Sequence, residues 1–341
     1  MKFVFRADAS TNIGAGHIVR CATLASQLRQ GRHATVFLCR QCPGNLNDWL
    51  AAAGHAVIAL PAAFSSEQED AAACLEALRG QAFDRLIVDH YQLGAAWEWQ
   101  LAAHARRTMA IDDLARPHGV DFLLDQNFPN PLQAGYRDAV PATCCLLLGP
   151  AYALVRPEFA AGRRAALARR HGQLERLLVC MGGSDAENET CKVLAGIAQS
   201  RHSDLAVDVV IGVGNPHRTA VEIACRDLPA AQLHVQTNRM AELMAAADCA
   251  ITAGGSTTWE RCTLGLPGLV TTVADNQVAI ARALHDARVH DLLGWYADLT
   301  PGDYARALDN LTAEHLRSMV AATAAICDGQ GAARVAACLL D

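Results

Sequence analysis

KFVFRADASTNIGAGHIVRCATLASQLRQ, residues 2–30, joins a short apolar run, a glycine-rich turn and a longer segment with helical periodicity. The apolar run predicts a strand over 2–6, and the segment after the turn predicts a helix over 17–30. We expect this helix to stop at Gly31, because glycine readily takes the left-handed conformation that ends a helix. A strand, a glycine turn and a helix in this order are typical of a βαβ unit in a parallel sheet.

The same alternation of strands and helices continues through two halves of the chain. In the first half, further strands are predicted at 34–38, 57–59, 85–88, 108–111 and 122–124. In the second half, strands are predicted at 177–180, 206–211, 233–235, 249–252 and 268–272, with helices at 188–199, 240–246, 258–264 and 277–286. The sequence therefore predicts an α/β fold of two Rossmann-like domains that face each other across a ligand cleft.

The boundary between these domains is expected in the segment 149–157, which carries two prolines and precedes a charged helix at 158–171. We divide the chain into an N-terminal domain, 1–155, and a C-terminal domain, 156–341, with the last helix as a candidate to pack back on the N-terminal domain. A length of 341 residues fits two domains of the usual size, roughly 100 to 200 residues each.

Charge and hydropathy exclude two classes of partner. The net charge is −6 and the pI is near 6.1, which argues against nucleic acid, because a phosphate backbone calls for a strongly basic face. No apolar run approaches the ~20 residues of a membrane span, and the first one breaks too early for a secretory signal. We expect a cytoplasmic, monomeric protein with no nucleic acid partner and no membrane attachment.

The 13 cysteines are scattered through apolar segments, as reduced core thiols are in cytosolic proteins. Cys39 and Cys42 form a C-x-x-C pair, but no second pair of Cys or His follows at zinc spacing. A metal or redox role for this pair is the minor alternative. We expect neither a metal nor a cofactor.

Three loops between a predicted strand and a helix are rich in small residues, at 6–17, 181–185 and 253–258. Glycine lets a backbone approach an anion closely, and the next helix offers unpaired N–H groups, so such loops suit a diphosphate. Glycine is also common in βα turns with no ligand, and any one loop alone is more simply structural. The third loop differs because Glu260 follows inside its helix, where a carboxylate can accept hydrogen bonds from a ribose diol. The nucleotide-binding candidates are Gly182, Gly183, Ser184, Gly254, Gly255, Ser256, Thr257 and Glu260.

Two common nucleotide motifs do not fit these loops. The turn with Gly14 and Gly16 lacks the third glycine of G-x-G-x-x-G, because Val19 stands there. No Gly-Lys-Ser/Thr of a P-loop occurs either. NAD and ATP chemistry are therefore disfavoured.

His17 is the main candidate for chemistry, since it follows the first loop at the start of a helix. There the helix dipole disfavours the imidazolium, so a neutral ring can accept a proton as a general base. The alternative is a capping or packing histidine. Asp8, at the end of the first strand, is a candidate to hold the other ring nitrogen or to contact a ligand.

Further candidates follow other strands. Tyr91, in Asp89-His90-Tyr91, is interpreted as a ligand contact or as a residue that closes the top of the sheet, and His90 as structural. Asn276 precedes a predicted helix and either binds a ligand amide or hydroxyl or caps the helix. The run 125–127 is a weaker ligand-contact candidate.

The motifs together resemble a known enzyme family. R-A-D-A-S-x-x-I-G-x-G-H-x-x-R-C, at 6–21, is similar to the N-terminal signature of the UDP-2,4-diacetamido-2,4,6-trideoxy-β-L-altropyranose hydrolases of pseudaminic acid biosynthesis. LGPAYALVRPEF at 148–159, MGGSD at 181–185 and AGGSTTWE at 253–260 match the family further along. The resemblance runs from residue 3 to beyond 280.

The resemblance implies a glycosyltransferase-B-like fold with the nucleotide on the C-terminal domain. It implies that His17 activates water for attack at the anomeric carbon, releasing UDP with inversion and without a metal. It also implies that Tyr91 and Asn276 lie in the sugar pocket and that Glu260 binds the ribose. The expected substrate-binding residues are Asp8, Gly14, Gly16, Tyr91 and Asn276.

Two alternatives use the same nucleotide site. An inverting glycosyltransferase would hand the sugar to an acceptor alcohol, although no basic and aromatic helix that would sit on a membrane beside a lipid acceptor is evident in the first half. A non-catalytic nucleotide-sugar binding subunit is the alternative from another class. A binding subunit has no need of a base such as His17.

Overall fold

The computed structural model describes residues 1–11, 13–79, 81–128 and 131–341, with the side chains of 131 and 132 left out of the description. The chain forms two compact units. The first unit comprises Met1–Arg156 together with Gln330–Asp341, and the second comprises Pro157–Gly329.

Within the described residues, the first unit is built on a seven-stranded parallel sheet. Its strands are β1 (Lys2–Ala7), β2 (Ala34–Arg40), β3 (Ala56–Leu60), β4 (Phe83–Asp89), β5 (Ala105–Ile111), β6 (Phe122–Asp125) and β7 (Cys145–Leu148). Its first helices are α1 (Gly16–Gln30), α2 (Asn47–Ala52), α3 (Glu67–Ala77), α4 (Ala95–Ala102) and α5 (Pro131–Ala139). The strand order is β3-β2-β1-β4-β5-β6-β7.

The described part of the second unit has a six-stranded parallel sheet. Its strands are β8 (Arg176–Cys180), β9 (Ala206–Ile211), β10 (Ala231–Val235), β11 (Cys249–Ala253), β12 (Gly268–Thr272) and β13 (Asp291–Trp295). Its helices are α6 (Pro157–Arg169), α7 (Glu189–Gln199), α8 (Arg218–Arg226), α9 (Met240–Ala246), α10 (Thr257–Thr263), α11 (Asp275–Asp286), α12 (Pro301–Asp309) and α13 (Ala313–Ile326). The strand order is β10-β9-β8-β11-β12-β13.

The two sheets share one topology. In each sheet the chain winds outward from its first strand and then reverses, so that β1 lies beside β4 and β8 lies beside β11. The prediction of two Rossmann-like parallel-sheet domains is confirmed. Ligands of such folds bind outside the carboxyl ends of the strands where the order reverses, which directs attention to the loops after β1, β4, β8 and β11.

The last helix, α14 (Gly331–Leu340), belongs to the first unit. It packs against α1, and its Val335 and Leu339 are buried in the same cluster as Ile18, Leu24 and Leu28. Gly331 lets the start of the helix lie against the backbone at Ala153, because a Cβ at that position would lie 2.2 Å from the Ala153 carbonyl oxygen. The helix therefore covers the sheet face that α1 covers.

Two edge strands, β7 and β13, were absent from the sequence-based prediction. β7 is four residues long, and its CLLL run fits a helix as well as a strand. β13 reads DLLGW, with Asp and Gly disfavoured in strands, and its pairing with β12 shifts register at Val270/Thr271. Short or irregular edge strands of this kind carry too little periodicity to be found in a single sequence.

The end of α1 corrects one local prediction. The helix ends at Gln30, but Gly31 has φ −76° and is not left-handed. Arg32 has φ +62° instead. The Arg32 amide donates to the Arg29 carbonyl at 2.9 Å, so the last turn runs on through Gly31 and the chain reverses one residue later.

None of the helices in the described part of the chain is long and apolar enough to cross a membrane.

Candidate functional site

The loop after β1 brings His17 into position. Within it, the Gly14 amide donates to the Ser10 carbonyl at 2.8 Å, and Gly14 has φ +79°, a conformation that favours glycine. The Ile13 amide donates to Ser10 Oγ at 3.0 Å. The helix α1 begins at Gly16, so His17 lies in its first turn, as the sequence predicts. Asn12 lies outside the described residues.

His17 is paired with Asp89, the last residue of β4. Nδ1 of His17 lies 2.6 Å from Oδ1 of Asp89, and both side chains are buried. Arg20, one turn further along α1, donates Nε and Nη2 to the two oxygens of the same carboxylate, each at 2.6 Å. Burial by itself raises the pKa of Asp89, but the charge of Arg20 and the hydrogen bonds from Arg20 and His17 outweigh it and hold that pKa well below its usual range.

This pairing determines which nitrogen of His17 carries a proton. An ionised carboxylate can only accept hydrogen bonds, so Nδ1 of His17 must donate to Asp89. In a neutral ring Nε2 then holds a lone pair and can accept a proton. The arrangement can serve as a general base, with Arg20 balancing the charge of the buried carboxylate.

A cavity of about 270 Å³ opens beside His17 in the first unit. Tyr91 forms one wall, with its ring edge-on to that of His17 at a centroid distance of 4.9 Å. The Tyr91 hydroxyl donates to Oδ2 of Asp113 at 3.1 Å. The cavity is lined by Ile13, His17, His90, Tyr91 and Gln92. Tyr91 therefore lies beside His17, whereas its contact with a sugar stays a prediction.

Asp8 does not hold His17, contrary to one of the two roles expected for it. Its carboxylate is fully buried and lies 2.7 Å from Nη1 of Arg6 and 2.5 Å from Nε of Arg40. Nε2 of His90 lies 3.1 Å from the same carboxylate. The reason is positional, because Asp8 is one residue beyond β1 and points to β2, whereas Asp89 ends the strand on the other side. Asp8 thus organises Arg40 and His90, and a direct ligand contact by Asp8 stays a prediction.

The run 125–127 is committed to local hydrogen bonds. The Asp125 carboxylate accepts from the Asn127 amide at 2.9 Å and from Gln133 Nε2 at 3.1 Å, and Gln126 accepts from the Leu154 amide. Burial raises the pKa of Asp125 to about 6. This turn ties the carboxyl end of β6 to the following segments.

The Cys39 thiol is buried, whereas the Cys42 thiol is only partly buried. Cys39 is buried in β2, and burial raises its pKa to about 12, which disfavours the thiolate that metal binding and redox chemistry need. Cys42 donates to the Ala62 carbonyl at 3.3 Å. Among the described residues, no group of three His, Cys, Asp or Glu side chains is placed to hold a metal ion.

The loop after β8 carries Gly182, Gly183 and Ser184 at the point where the second sheet reverses. Gly182 has φ +103°, and a Cβ at Gly182 or Gly183 would meet no atom within 4 Å, so the loop surface is open there. The Gly183 carbonyl accepts from the Gly212 amide at 2.9 Å. Asp185 accepts the backbone N–H groups of Glu189 and Thr190 and so caps α7, a role that the sequence did not reveal.

The loop after β11 lies on the other side of the same reversal. Ser256 is the N-cap of α10, Thr257 begins the helix, and Glu260 is half-buried in its first turn. A Cβ at Gly254 would lie 3.4 Å from Cβ of Gln277, which places the start of α11 against this loop. The loops after β8 and β11 thus flank the position at which a nucleotide is expected.

Asn276 is the exposed second residue of α11, whose N-cap is Ala274. The interpretation of Asn276 as a helix cap is therefore wrong. Its neighbour Gln277 accepts the Val273 amide at 3.0 Å and closes the turn instead. A ligand contact by Asn276 stays a prediction.

Sequence reasoning missed Asp89, Arg20 and Gln92 as members of the site. A signal for Arg20 was present, because residues three apart on a helix share a face, as His17 and Arg20 do. Asp89 could be recognised only once β1 and β4 were known to be neighbours. Gln92 carries no motif at all.

Comparison with known proteins finds similar sequences in sugar and polysaccharide biosynthesis. The chain is 28% identical over 285 residues to the spore coat polysaccharide biosynthesis protein SpsG of Bacillus subtilis, covering 82% of this chain and 80% of that protein. It is 26% identical over 245 residues to the UDP-2,4-diacetamido-2,4,6-trideoxy-β-L-altropyranose hydrolase of Campylobacter jejuni, covering 72% of this chain and 81% of the hydrolase. The resemblance inferred from the motifs is confirmed. No protein family profile matches the chain.

Solved structures extend the comparison to the whole fold. MurG of Acinetobacter baumannii has a TM-score of 0.70 and 14% identity, with 99% of both chains covered. Other solved structures with this fold are glycosyltransferases and epimerases. At these identities the likeness shows the fold alone. The chain is therefore similar in sequence to a UDP-sugar hydrolase and a polysaccharide biosynthesis protein, and it has a glycosyltransferase-B-like fold.

Proposed function

We propose that the protein is a UDP-sugar enzyme that hydrolyses a UDP-linked 2,4-diacetamido-2,4,6-trideoxyhexose to UDP and free sugar in pseudaminic acid biosynthesis. The observation that carries the proposal is the bond between Nδ1 of His17 and the buried Asp89, at 2.6 Å, beside a cavity. A side chain held in this way is prepared to take a proton at Nε2. The similarity to the hydrolase of Campylobacter jejuni supports the choice of substrate.

The reaction needs one proton transfer and one displacement. Nε2 of His17 takes a proton from water as the water oxygen bonds to the anomeric carbon. The bond from that carbon to the UDP oxygen breaks, and UDP leaves with the electron pair. A single displacement inverts the anomeric configuration. The Asp89 carboxylate stabilises the imidazolium formed in this step.

The second unit supplies the nucleotide site in this proposal. The backbone N–H groups and hydroxyls of the two glycine loops would stabilise the diphosphate as its charge develops, without a metal. Glu260 would accept hydrogen bonds from the ribose. The loop residues assigned to the nucleotide are Gly182, Gly183, Ser184, Gly254, Gly255, Ser256 and Thr257.

An inverting glycosyltransferase is the second candidate, because this chain shares its fold with known glycosyltransferases. It would use the same base to deprotonate an acceptor alcohol instead of water. A non-catalytic binding subunit is less well supported, because a binder has no need of the Arg20–Asp89–His17 arrangement. The hydrolase and the glycosyltransferase differ in whether an acceptor alcohol must be added for turnover.

The test is turnover by the purified protein with UDP-linked deoxy-diamino sugars in the presence of EDTA and without an acceptor. NMR in the first minutes should show free sugar with the inverted anomeric configuration. Turnover that appears only after an alcohol is added would favour the transferase. No UDP release across the sugar panel, with or without an acceptor, would remove both enzyme proposals.

The role of His17 is tested separately by His17→Ala. We expect loss of turnover with UDP affinity within about twofold of the wild type, since the base and the nucleotide loops belong to different units. His33→Ala is the matched control, because His33 follows the other end of α1 and bonds the N-terminus. Equal collapse of UDP binding in His17→Ala would make His17 a structural residue.

A further inference from the structure

The turn after β4 brings a side-chain amide to the cavity beside His17. Gln92 lines this cavity together with His17 and Tyr91, and its side chain is exposed. Its backbone amide donates to His90, but no hydrogen bond joins its side-chain amide to any other residue that the structure describes. Gln92 therefore offers unused hydrogen-bonding capacity at the wall of the site.

The His90 ring holds the backbone of this turn in place through a hydrogen bond. The Gln92 amide donates to Nδ1 of His90 at 3.0 Å, so Nδ1 is an acceptor and the ring proton must lie on Nε2. Nε2 lies 3.1 Å from Oδ2 of the buried Asp8, which can accept the hydrogen bond, and 3.1 Å from Nη2 of Arg40, which can only donate. Burial favours the neutral ring and lowers the pKa of His90. A neutral ring in one tautomer thus holds the Gln92 backbone.

The lining of the cavity suits an uncharged occupant. Among the residues that the structure describes, the five that line the cavity include no carboxylate, lysine or arginine. A charged substituent that enters the cavity loses water, and none of the described lining side chains carries a fixed opposite charge to pair with it. The Gln92 amide both donates and accepts, so it can bond the carbonyl oxygen or the N–H of an acylamino group, or a hydroxyl. The volume of about 270 Å³ lies just below the range of drug-sized pockets, roughly 300–1,000 Å³, which leaves room for a single sugar but not for a whole sugar nucleotide.

We propose that Gln92 is a specificity-determining residue that recognises a neutral N-acylamino or hydroxyl substituent of the sugar and disfavours substrates with a free ammonium or carboxylate at that place. This inference rests on the proposed function, because it assigns a substituent to the sugar half of the same site. In it, Asp8 and His90 are positioning residues that act through the Gln92 backbone.

The experiment compares the UDP-linked diacetamido sugar with its two forms that carry one free amine each. Gln92→Ala should raise KM for the diacetamido sugar by roughly five- to tenfold, the usual loss for one neutral hydrogen bond, with kcat changed less than about threefold. Gln92→Glu should shift the preference toward one of the amine forms by at least about tenfold, because a carboxylate pairs with an ammonium. Gln68→Ala is the matched control, on the exposed face of α3.

The outcomes separate this inference from the proposed function. One outcome is that the wild type turns over the substrate and that Gln92→Ala and Gln92→Glu keep its KM and substrate preference. That result overturns the role of Gln92 and leaves the hydrolase proposal unaffected. If the wild type releases no UDP, the affinity of each sugar nucleotide relative to UDP is measured by calorimetry instead. Gln92→Ala should then weaken the sugar nucleotide selectively, and an unchanged ratio overturns the inference.

Discussion

Nδ1 of His17 and Oδ1 of Asp89 lie 2.6 Å apart although the two residues are 72 positions apart in the chain. They meet because β1 and β4 are parallel neighbours, with Ala7 in register with Asp89. The loop after β1 then returns α1 to the carboxyl end of β4. The sheet therefore sets the orientation of the imidazole, in addition to any effect of the helix dipole on its charge.

Asp89→Asn should reduce kcat by roughly 10⁴-fold and leave UDP affinity within about twofold of the wild type. The asparagine amide can donate to Nδ1, which favours the tautomer with its proton on Nε2, and that tautomer cannot accept a proton from water. Steady-state release of UDP and calorimetric titration with UDP measure the two quantities.

Asp84→Asn is the control for this prediction, because Asp84 lies at the opposite end of β4. Its carboxylate accepts the Lys2 amide at 2.8 Å, and the substitution should leave kcat unchanged. An equal fall in kcat for both variants would show that Asp89 supports the fold of the strand and does not orient the base.

The environment of His118 predicts that the stability of the folded protein depends on pH, independently of turnover. It is buried, with Nδ1 2.6 Å from Glu98 and Nε2 3.5 Å from Asp112. Burial by itself lowers the pKa of His118, but the two carboxylates outweigh it and raise the pKa to about 9. The folded state then holds a proton that the unfolded chain loses near pH 6.5, so the stabilisation is complete below about pH 6.5 and is lost as the pH rises through about 9.

The free energy of unfolding should therefore decrease as the pH rises from about 6.5 to about 9. Urea unfolding of the wild type at several pH values from about 6 to 9.5 should show the decline, and His118→Gln should flatten it. His104→Gln, at the amino end of β5, should keep the wild-type slope. Equal slopes in the wild type and His118→Gln would contradict the prediction.

The sequence predicted the central strands because parallel strands covered on both faces read as nearly continuous apolar runs, as β8 and β11 do. The glycine loops were found for a similar reason, since each directly follows such a run. The bond between His17 and Asp89 depends on strand order, which no local pattern contains. The tautomer of His90 depends on a backbone turn and on Asp8 together, so its consequence for Gln92 appears only in three dimensions.

Gly212→Ala should weaken UDP binding by roughly tenfold while leaving the histidine site of the other unit intact. A Cβ at Gly212 would lie 2.5 Å from the Gly183 carbonyl oxygen, which accepts the Gly212 amide at 2.9 Å. The backbone must move apart, at a cost of about 1–3 kcal/mol, and the Gly182–Gly183 segment moves with it. UDP affinity measured by calorimetry reports on this loop.

Gly302→Ala separates displacement of that loop from a general effect of adding a methyl group to the second unit. A Cβ at Gly302 would approach nothing closer than 3.5 Å, and the nearest atom is the flexible Arg306 guanidinium, so UDP affinity should not change. Gly212→Ala alone should lose UDP affinity, and its thermal unfolding temperature should fall only modestly. This result would support a nucleotide contact at the loop after β8. Wild-type affinity in a folded Gly212→Ala variant would instead mean that the diphosphate does not depend on Gly183, and the loop after β11 would be the next candidate to hold it.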